Sequence, residues 1–525
     1  MRAIIITLIG LLLSTGSFAQ HSYIYDEVRK DLEIFEDSLA LELKKKISRK
    51  SINKLTYESV KNVALAILKN DYRPTYLAAE YKAILDPRTL GRILSIGDGY
   101  SKYENVTGVF LQEGQHIILV KGLAEGKTVK LLVPHWLRKA PDPANPTKDP
   151  NGWGLHRQEF ILKNGINLIE LKSYGGLAYI GYYSDNPEGE PPIAIHFLTG
   201  EENGYFDIAK HNNEDWNRFL YNAVYPILDA RGTHIQIAYP VDDLKKYAYG
   251  RGVELISIYD SLVYRQHRLM GLEKYQKVPR NRILARVNFN YYMFRDGDGV
   301  AYMGDKQGYA MHMVADPDMV MKGDPCWGFS HEVGHVHQTR PMFNWGGLGE
   351  VSNNLFSMYV CRFFGNKSRL AQQKNYEKAR KNIIEKRISY LADPDVFNRL
   401  VPFWQLQLYF ESIGENSDFY ADLFEELRRQ AAKQQEHHTS SGRRRAERNP
   451  AIHQLNFIKT ACKVSQVDLT DFFEKYGFFY VGRMEYEDYG RYVYEMTQEM
   501  VDKCFQEIKA MNLPKPKVDI SSLTD

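Results

Sequence analysis

One pentapeptide constrains this chain more than any other feature: His331-Glu332-Val333-Gly334-His335. On an α-helix, positions i and i+4 differ by about 40° in azimuth, so both imidazoles point the same way and can share one metal ion. Local signals predict a helix here. Asp324 is a suitable N-cap, Pro325 suits the first helical position, and Pro341 ends the run. Gly334 inside that helix costs about 1 kcal/mol relative to alanine and needs a packing reason. His337 lies about 200° around the helix from His335 and reads as a supporting or structural residue, not a ligand.

Two imidazoles leave a tetrahedral ion short of a third protein ligand, because zinc hydrolases take three side chains and keep the fourth position for water. Glu350 is the leading candidate. It follows a Gly-rich turn (Gly346, Gly347, Gly349) and opens the helical stretch Val351 to Cys361, a layout that folds a second helix back on the first. Asp324 is a weaker candidate, being placed as a cap. The expected cofactor is one Zn2+ per chain. Glu332 sits beside the metal without facing it squarely, where a carboxylate can act as general base, taking a proton from water and passing it to a leaving amine. These parts describe peptide-bond hydrolysis without a covalent intermediate.

A length of 525 residues predicts two to four domains. Met1-Arg2, the apolar stretch Ala3 to Leu13 and the small residues around Ser17-Phe18-Ala19 read as a secretory signal, with mature protein from about Gln20. The chain is therefore expected to be exported, secreted or periplasmic. No later run reaches the 18 or so apolar residues a spanning helix needs, so no transmembrane segment is expected. Lys plus Arg (68) nearly balances Asp plus Glu (65), which argues against a nucleic-acid partner. Cys326, Cys361, Cys462 and Cys504 are too widely spaced for a cysteine metal site; disulfides and buried thiols both fit an exported chain.

Residues 20–100 read as a helical N-terminal region, with Val28, Leu32, Phe35 and Leu39 on one face. Over 101–205 the period changes. Strands are predicted at His116 to Val120, Val129 to Val133, Ile166 to Leu171, Leu177 to Tyr182 and Ile193 to Phe197, separated by turn residues, which suggests a β-sandwich. Residues 206–510 read as a mainly helical catalytic domain with a strand-like interlude from Arg282 to Met313, and 511–525 as a C-terminal tail. The polar run Gln434 to Arg448, with Arg443-Arg444-Arg445, is expected to be an exposed loop. The fold class is multidomain α+β.

The sequence resembles the peptidase M60 family, the enhancin-like and mucin-directed zinc metallopeptidases. The resemblance rests on His331 to Gln338, on Gly349-Glu350-Val351 leading into Asn354-Leu355-Phe356-Ser357-Met358-Tyr359-Val360, and on Pro402-Phe403-Trp404-Gln405-Leu406, and extends from about Gly108 to Phe479. It implies zinc on His331, His335 and Glu350, Glu332 as base, and a β-sandwich ahead of a zincin-like catalytic domain. It also implies a substrate class: O-glycosylated, mucin-type glycoproteins cut beside glycosylated Ser or Thr. Two departures stand out. No appended carbohydrate-binding module is recognisable, and the segment Gln20 to Leu94 has no counterpart. In zincins a strand upstream of the metal helix pairs with the substrate backbone, which makes Tyr302 to Met313 the expected strand. Tyr302, Trp327, Trp345 and Trp404 are the expected substrate contacts. The competing readings are a glycan- or protein-binding exported protein with a structural or inactive zinc site, which an intact Glu332 disfavours, and another zinc hydrolysis such as deacetylation.

Overall fold

Short β-prone apolar runs between residues 105 and 197 build most of two largely antiparallel sheets. In this computed structural model, described over residues 23–304, 310–437 and 449–525, one sheet orders Ala78–Tyr81, Ile193–Phe197, Gly114–Lys121 and Gly165–Leu171. The other orders Glu201–Glu202, Asn105–Leu111, Gly176–Ser184, Val129–Pro134 and Arg157–Leu162, with Ile84–Leu85 parallel to Gly176–Ser184. Ile118 and Val120 from the first sheet meet Leu131, Val133 and Ile180 from the second in one dry core, so the two form a sandwich. The expected signal segment and Arg443-Arg444-Arg445 lie outside the described residues.

Both outer faces of the sandwich are also covered. Ile117 and Leu119, the alternate residues of one strand, pack with Val28, Phe35, Ile52, Val60 and Val63 of the N-terminal region. On the opposite side, Val106, Leu132, Leu177 and Tyr179 join the large core of the catalytic region. The N-terminal region is less helical than its pattern predicts. Helix occupies 23–32, Arg49–Ile52, Glu58–Leu68 and Pro87–Leu94, while Phe35 bridges Leu43 and Ala78–Tyr81 belongs to the sandwich.

The catalytic region is built on a six-stranded sheet ordered Phe206–Asp207, Ile227–Arg231, Ile235–Pro240, Ile283–Asn288, Gly299–Met303, Met293–Asp296. Beyond it the chain is mainly helical, with a late hairpin, Gly482–Glu487 and Arg491–Met496. The expected strand Tyr302 to Met313 is corrected: extended structure ends at Met303 and Ala310–Ala315 is helical. Gln434 to His437 continue the helix Phe419–His437 instead of forming a loop. The C-terminal segment is packed down, Gln405 donating to the carbonyls of Ser521 and Leu523. All four cysteines are buried thiols; Cys326 and Cys361 touch at 3.5 Å between the helices Gly323–His337 and Ser352–Phe363.

Where sandwich meets catalytic sheet, a buried polar chain crosses the boundary. Trp136 donates to the Tyr179 hydroxyl (3.1 Å), Tyr179 donates to Asp229 (2.6 Å), and Gln236 donates to the other Asp229 oxygen (3.2 Å). Burial pushes the Asp229 carboxyl up to about 7 against the pull of those two donors. The fold thus holds a proton that the unfolded chain gives up near pH 4, so stability falls as pH rises from about 4 to about 7. Asp229→Asn is expected to remove this slope. Between pH 5 and pH 8 the wild type should lose about 2 to 3 kcal/mol relative to that variant, read from paired denaturant titrations.

Candidate metal centre

The predicted helix forms over Gly323–His337, but its cap is not Asp324. Lys322 occupies the N-cap position with no side-chain cap bond, and Asp324 lies in the first turn paired with Arg369. Asp324 is therefore engaged as an ion-pair partner and does not join the imidazoles. Gly334 has the packing reason its position demands: a Cβ there would sit 2.6 Å from the backbone oxygen of Asn353. The two helices cross in backbone contact at that point, bringing the turn that carries Glu350 over the imidazoles.

His331 Nε2 lies 3.2 Å from Glu350 Oε2, and His335 Nε2 lies 3.4 Å from Glu350 Oε1. One ligand atom from each of the three residues falls within 4.8 Å of the others, and this is the metal-capable cluster found among the described residues. The supporting contacts fix which nitrogen faces the centre. His331 Nδ1 meets Asn354 Oδ1 at 2.8 Å and His335 Nδ1 meets Gln338 Oε1 at 3.1 Å, so each Nδ1 donates and each Nε2 is left with its lone pair. Gln338 is itself anchored, donating to the carbonyl of Gly349 (2.8 Å) and to Ser352 Oγ (2.9 Å). Asn353 Nδ2 is 3.2 Å from both ring nitrogens of His331 and 3.0 Å from His335 Nε2, so this amide sits against the cluster and donates to the His335 lone pair. Two imidazoles and a carboxylate, converging and held from behind, fit a zinc-type divalent ion. Asn354→Ala is expected to weaken metal affinity about 10- to 100-fold with the ligands intact, measured by competition with a chromogenic chelator.

Glu332 is 5% exposed and is not one of the three converging groups. Burial raises its carboxyl above the usual carboxylate range, opposed by His331 and His335. For Glu350, burial also pushes upward, but the neighbouring His331 and His335 side chains outweigh it and hold the carboxylate well below the usual range. Tyr489, on the turn of the late hairpin, donates its hydroxyl to Glu350. That turn is tied down by Asp488, which accepts from the backbone N–H groups of Gly347 (2.7 Å) and Gly349 (2.8 Å). His337 points away, its Nε2 on the Tyr100 hydroxyl (3.1 Å) and its Nδ1 on Gln266 (2.8 Å). Burial pulls it down to about 3, so it stays neutral.

The centre opens into a cleft of about 1000 Å³ walled by Trp153 from the sandwich, Tyr291 to Arg295, and Tyr489 and Tyr492. Trp327 and Trp345 line it, although the Trp345 indole donates to Tyr390 and is 2% exposed. Tyr302 and Trp404 are corrected as substrate contacts. Both are fully buried away from the cleft, Tyr302 stacked on Phe329 and Trp404 donating to Asp525. Gln338 and Asn354 stand in the motifs that carry the resemblance but had no role assigned from sequence; Trp153, Arg295 and Tyr489 were not singled out.

Comparison with known proteins follows this geometry. Residues 199–477 match the family described as peptidase M60, enhancin and enhancin-like, and residues 80–196 match the N-terminal domain of M60-like peptidases. No curated protein matches in sequence. Among solved structures, the fold is similar to a metallopeptidase from Bacteroides thetaiotaomicron (TM-score 0.78, 24% identity, 94% of this chain and 80% of that one). It is also similar to a metallopeptidase in complex with Tn antigen (0.70, 24%, 86% and 80%). A third is the M60 catalytic domain of ZmpC from Clostridium perfringens in complex with the sialyl T antigen (0.61, 16%, 85% and 82%). With its metal cluster in place and the family match spanning more than half its length, the chain belongs to the peptidase M60 family of enhancin-like metallopeptidases.

Proposed function

We propose that this protein is an exported zinc peptidase that hydrolyses peptide bonds in O-glycosylated, mucin-type glycoproteins. The observation that carries the reading is the buried carboxylate of Glu332 beside three converged ligand atoms, facing an open cleft. When bound, zinc supplies a Lewis acid that acidifies water and polarises a carbonyl. Glu332, with its raised proton affinity, is placed to take a proton from the attacking water and deliver it to the leaving amine. Met293–Asp296 ends the catalytic sheet, paired only with Gly299–Met303 among the described strands, and lines the cleft. Its free edge suits an extended peptide added as one more strand. The glycoprotein class is supported by the two relatives solved with Tn and sialyl T antigens.

The test is incubation with an O-glycosylated mucin and with the same mucin stripped of glycans, alongside zinc quantification. One zinc per chain and cleavage that depends on the glycans are expected. Stoichiometric zinc with no cleavage of either form would support the binding-protein reading instead.

A further inference from the structure

The cleft holds two positive charges that metal chemistry does not use. Arg295 stands on the edge strand Met293–Asp296, and Arg340 follows the metal helix; both line the cleft. The carboxylates around them are committed elsewhere. Asp296 pairs with Arg286, Asp488 accepts from the backbone at Gly347 and Gly349, and Glu332 serves the metal centre. Asp98 is exposed and no ion pair joins it to Arg295 among the described residues. Arg295 Nε and Nη2 are buried with no hydrogen-bond partner, and the side chain of Arg340 makes one long contact, 3.5 Å to Gln338 Oε1. Burial pulls the Arg295 guanidinium down to about 10, and the charge on Arg340 adds to the effect. Asp296, Asp98 and Glu332 lie near enough to favour the charged form of Arg295 but none pairs with it, and an anion entering the cleft would add the missing partner.

We propose that Arg295 and Arg340 form a subsite for a carboxylate carried by the substrate within a residue or two of the scissile bond. The inference rests on the peptidase reading of the cleft. Arg295 lies on the strand offered to the substrate backbone, so a group it grips belongs to a residue beside the cut. Guanidinium N–H groups give strong, charge-assisted hydrogen bonds to a carboxylate. Two sources carry that chemistry: an acidic side chain of the peptide, or an acidic sugar on its glycan.

Matched substrates separate the sources. One pair of glycopeptides differs only by Glu against Gln beside the glycosylated residue; a second pair carries an acidic terminal sugar or its methyl ester. Wild type is expected to favour the carboxylate member of one pair by about tenfold or more in kcat/KM, through KM, with a preference that shrinks at high salt. Arg295→Gln should bring that ratio close to one, Arg340→Gln should reduce it, and Arg295→Lys should restore part of it. Equal rates within both pairs would overturn the subsite. So would a loss in Arg295→Gln that falls equally on both members of a pair, since that reports a role in turnover. Binding of the same pairs to Glu332→Gln and to Glu332→Gln/Arg295→Gln, by calorimetry, keeps the two readings apart. Discrimination in Kd without cleavage by the wild type would sustain the carboxylate subsite while the peptidase reading fails; no discrimination in Kd would remove the subsite.

Discussion

Glu332→Ala is expected to lower kcat/KM for peptide cleavage by about 10²- to 10⁴-fold while zinc content stays at one per chain. The split between these readouts is the informative part. Glu332 is buried beside the metal cluster but is not one of its three members, so its loss removes a proton carrier and leaves the ligands in place. A variant at His331 or His335 would instead lose metal and activity together. Glu332→Gln, which keeps shape and removes the ionisable carboxyl, should behave like the alanine variant. Metal analysis beside steady-state kinetics checks both. Loss of zinc in Glu332→Ala would move this residue into the ligand set.

Gly334→Ala is expected to destabilise the protein by about 1 to 3 kcal/mol and to weaken metal binding with it. In an ordinary helix interior the same change would stabilise by as much as about 1 kcal/mol, so the sign alone decides the matter. The added methyl would lie 2.6 Å from the Asn353 carbonyl oxygen, a backbone atom that cannot swing aside. Relief requires the helices Gly323–His337 and Ser352–Phe363 to part, and these carry the imidazoles and support Glu350. Thermal melts with and without zinc measure both effects; a raised Tm would show that the helices are not in register as described.

What could be read from the sequence was what local geometry dictates. His331, Glu332 and His335 lie within one helical turn and a fraction, so spacing alone brings them together. The sandwich strands were legible because apolar runs alternate with turn residues. The strands Ile227–Arg231 and Ile235–Pro240 were not, because Ile227, Leu228, Ala230, Ile235, Ile237 and Ala238 are all fully buried. A short strand covered on both faces loses its alternation and cannot be told from buried helix. The N-cap at Asp324 failed because an ion pair with Arg369 won over local capping. Tyr302 and Trp404 show the limit of residue type as a guide: aromatic rings that suit a sugar suit a core equally well. Tyr489 lies beyond any local pattern, since it reaches Glu350 across 139 residues by way of a hairpin turn.

The most direct test of the central claim is zinc per chain in the wild type and in Glu350→Ala, after dialysis against a weak chelator. Glu350 is the ligand on which the sequence spacing, the geometry and the pairing with both imidazoles converge. About one zinc per chain in the wild type and little or none in the variant is the predicted result. Full stoichiometry at unchanged affinity in Glu350→Ala, or no zinc in the wild type, would contradict it.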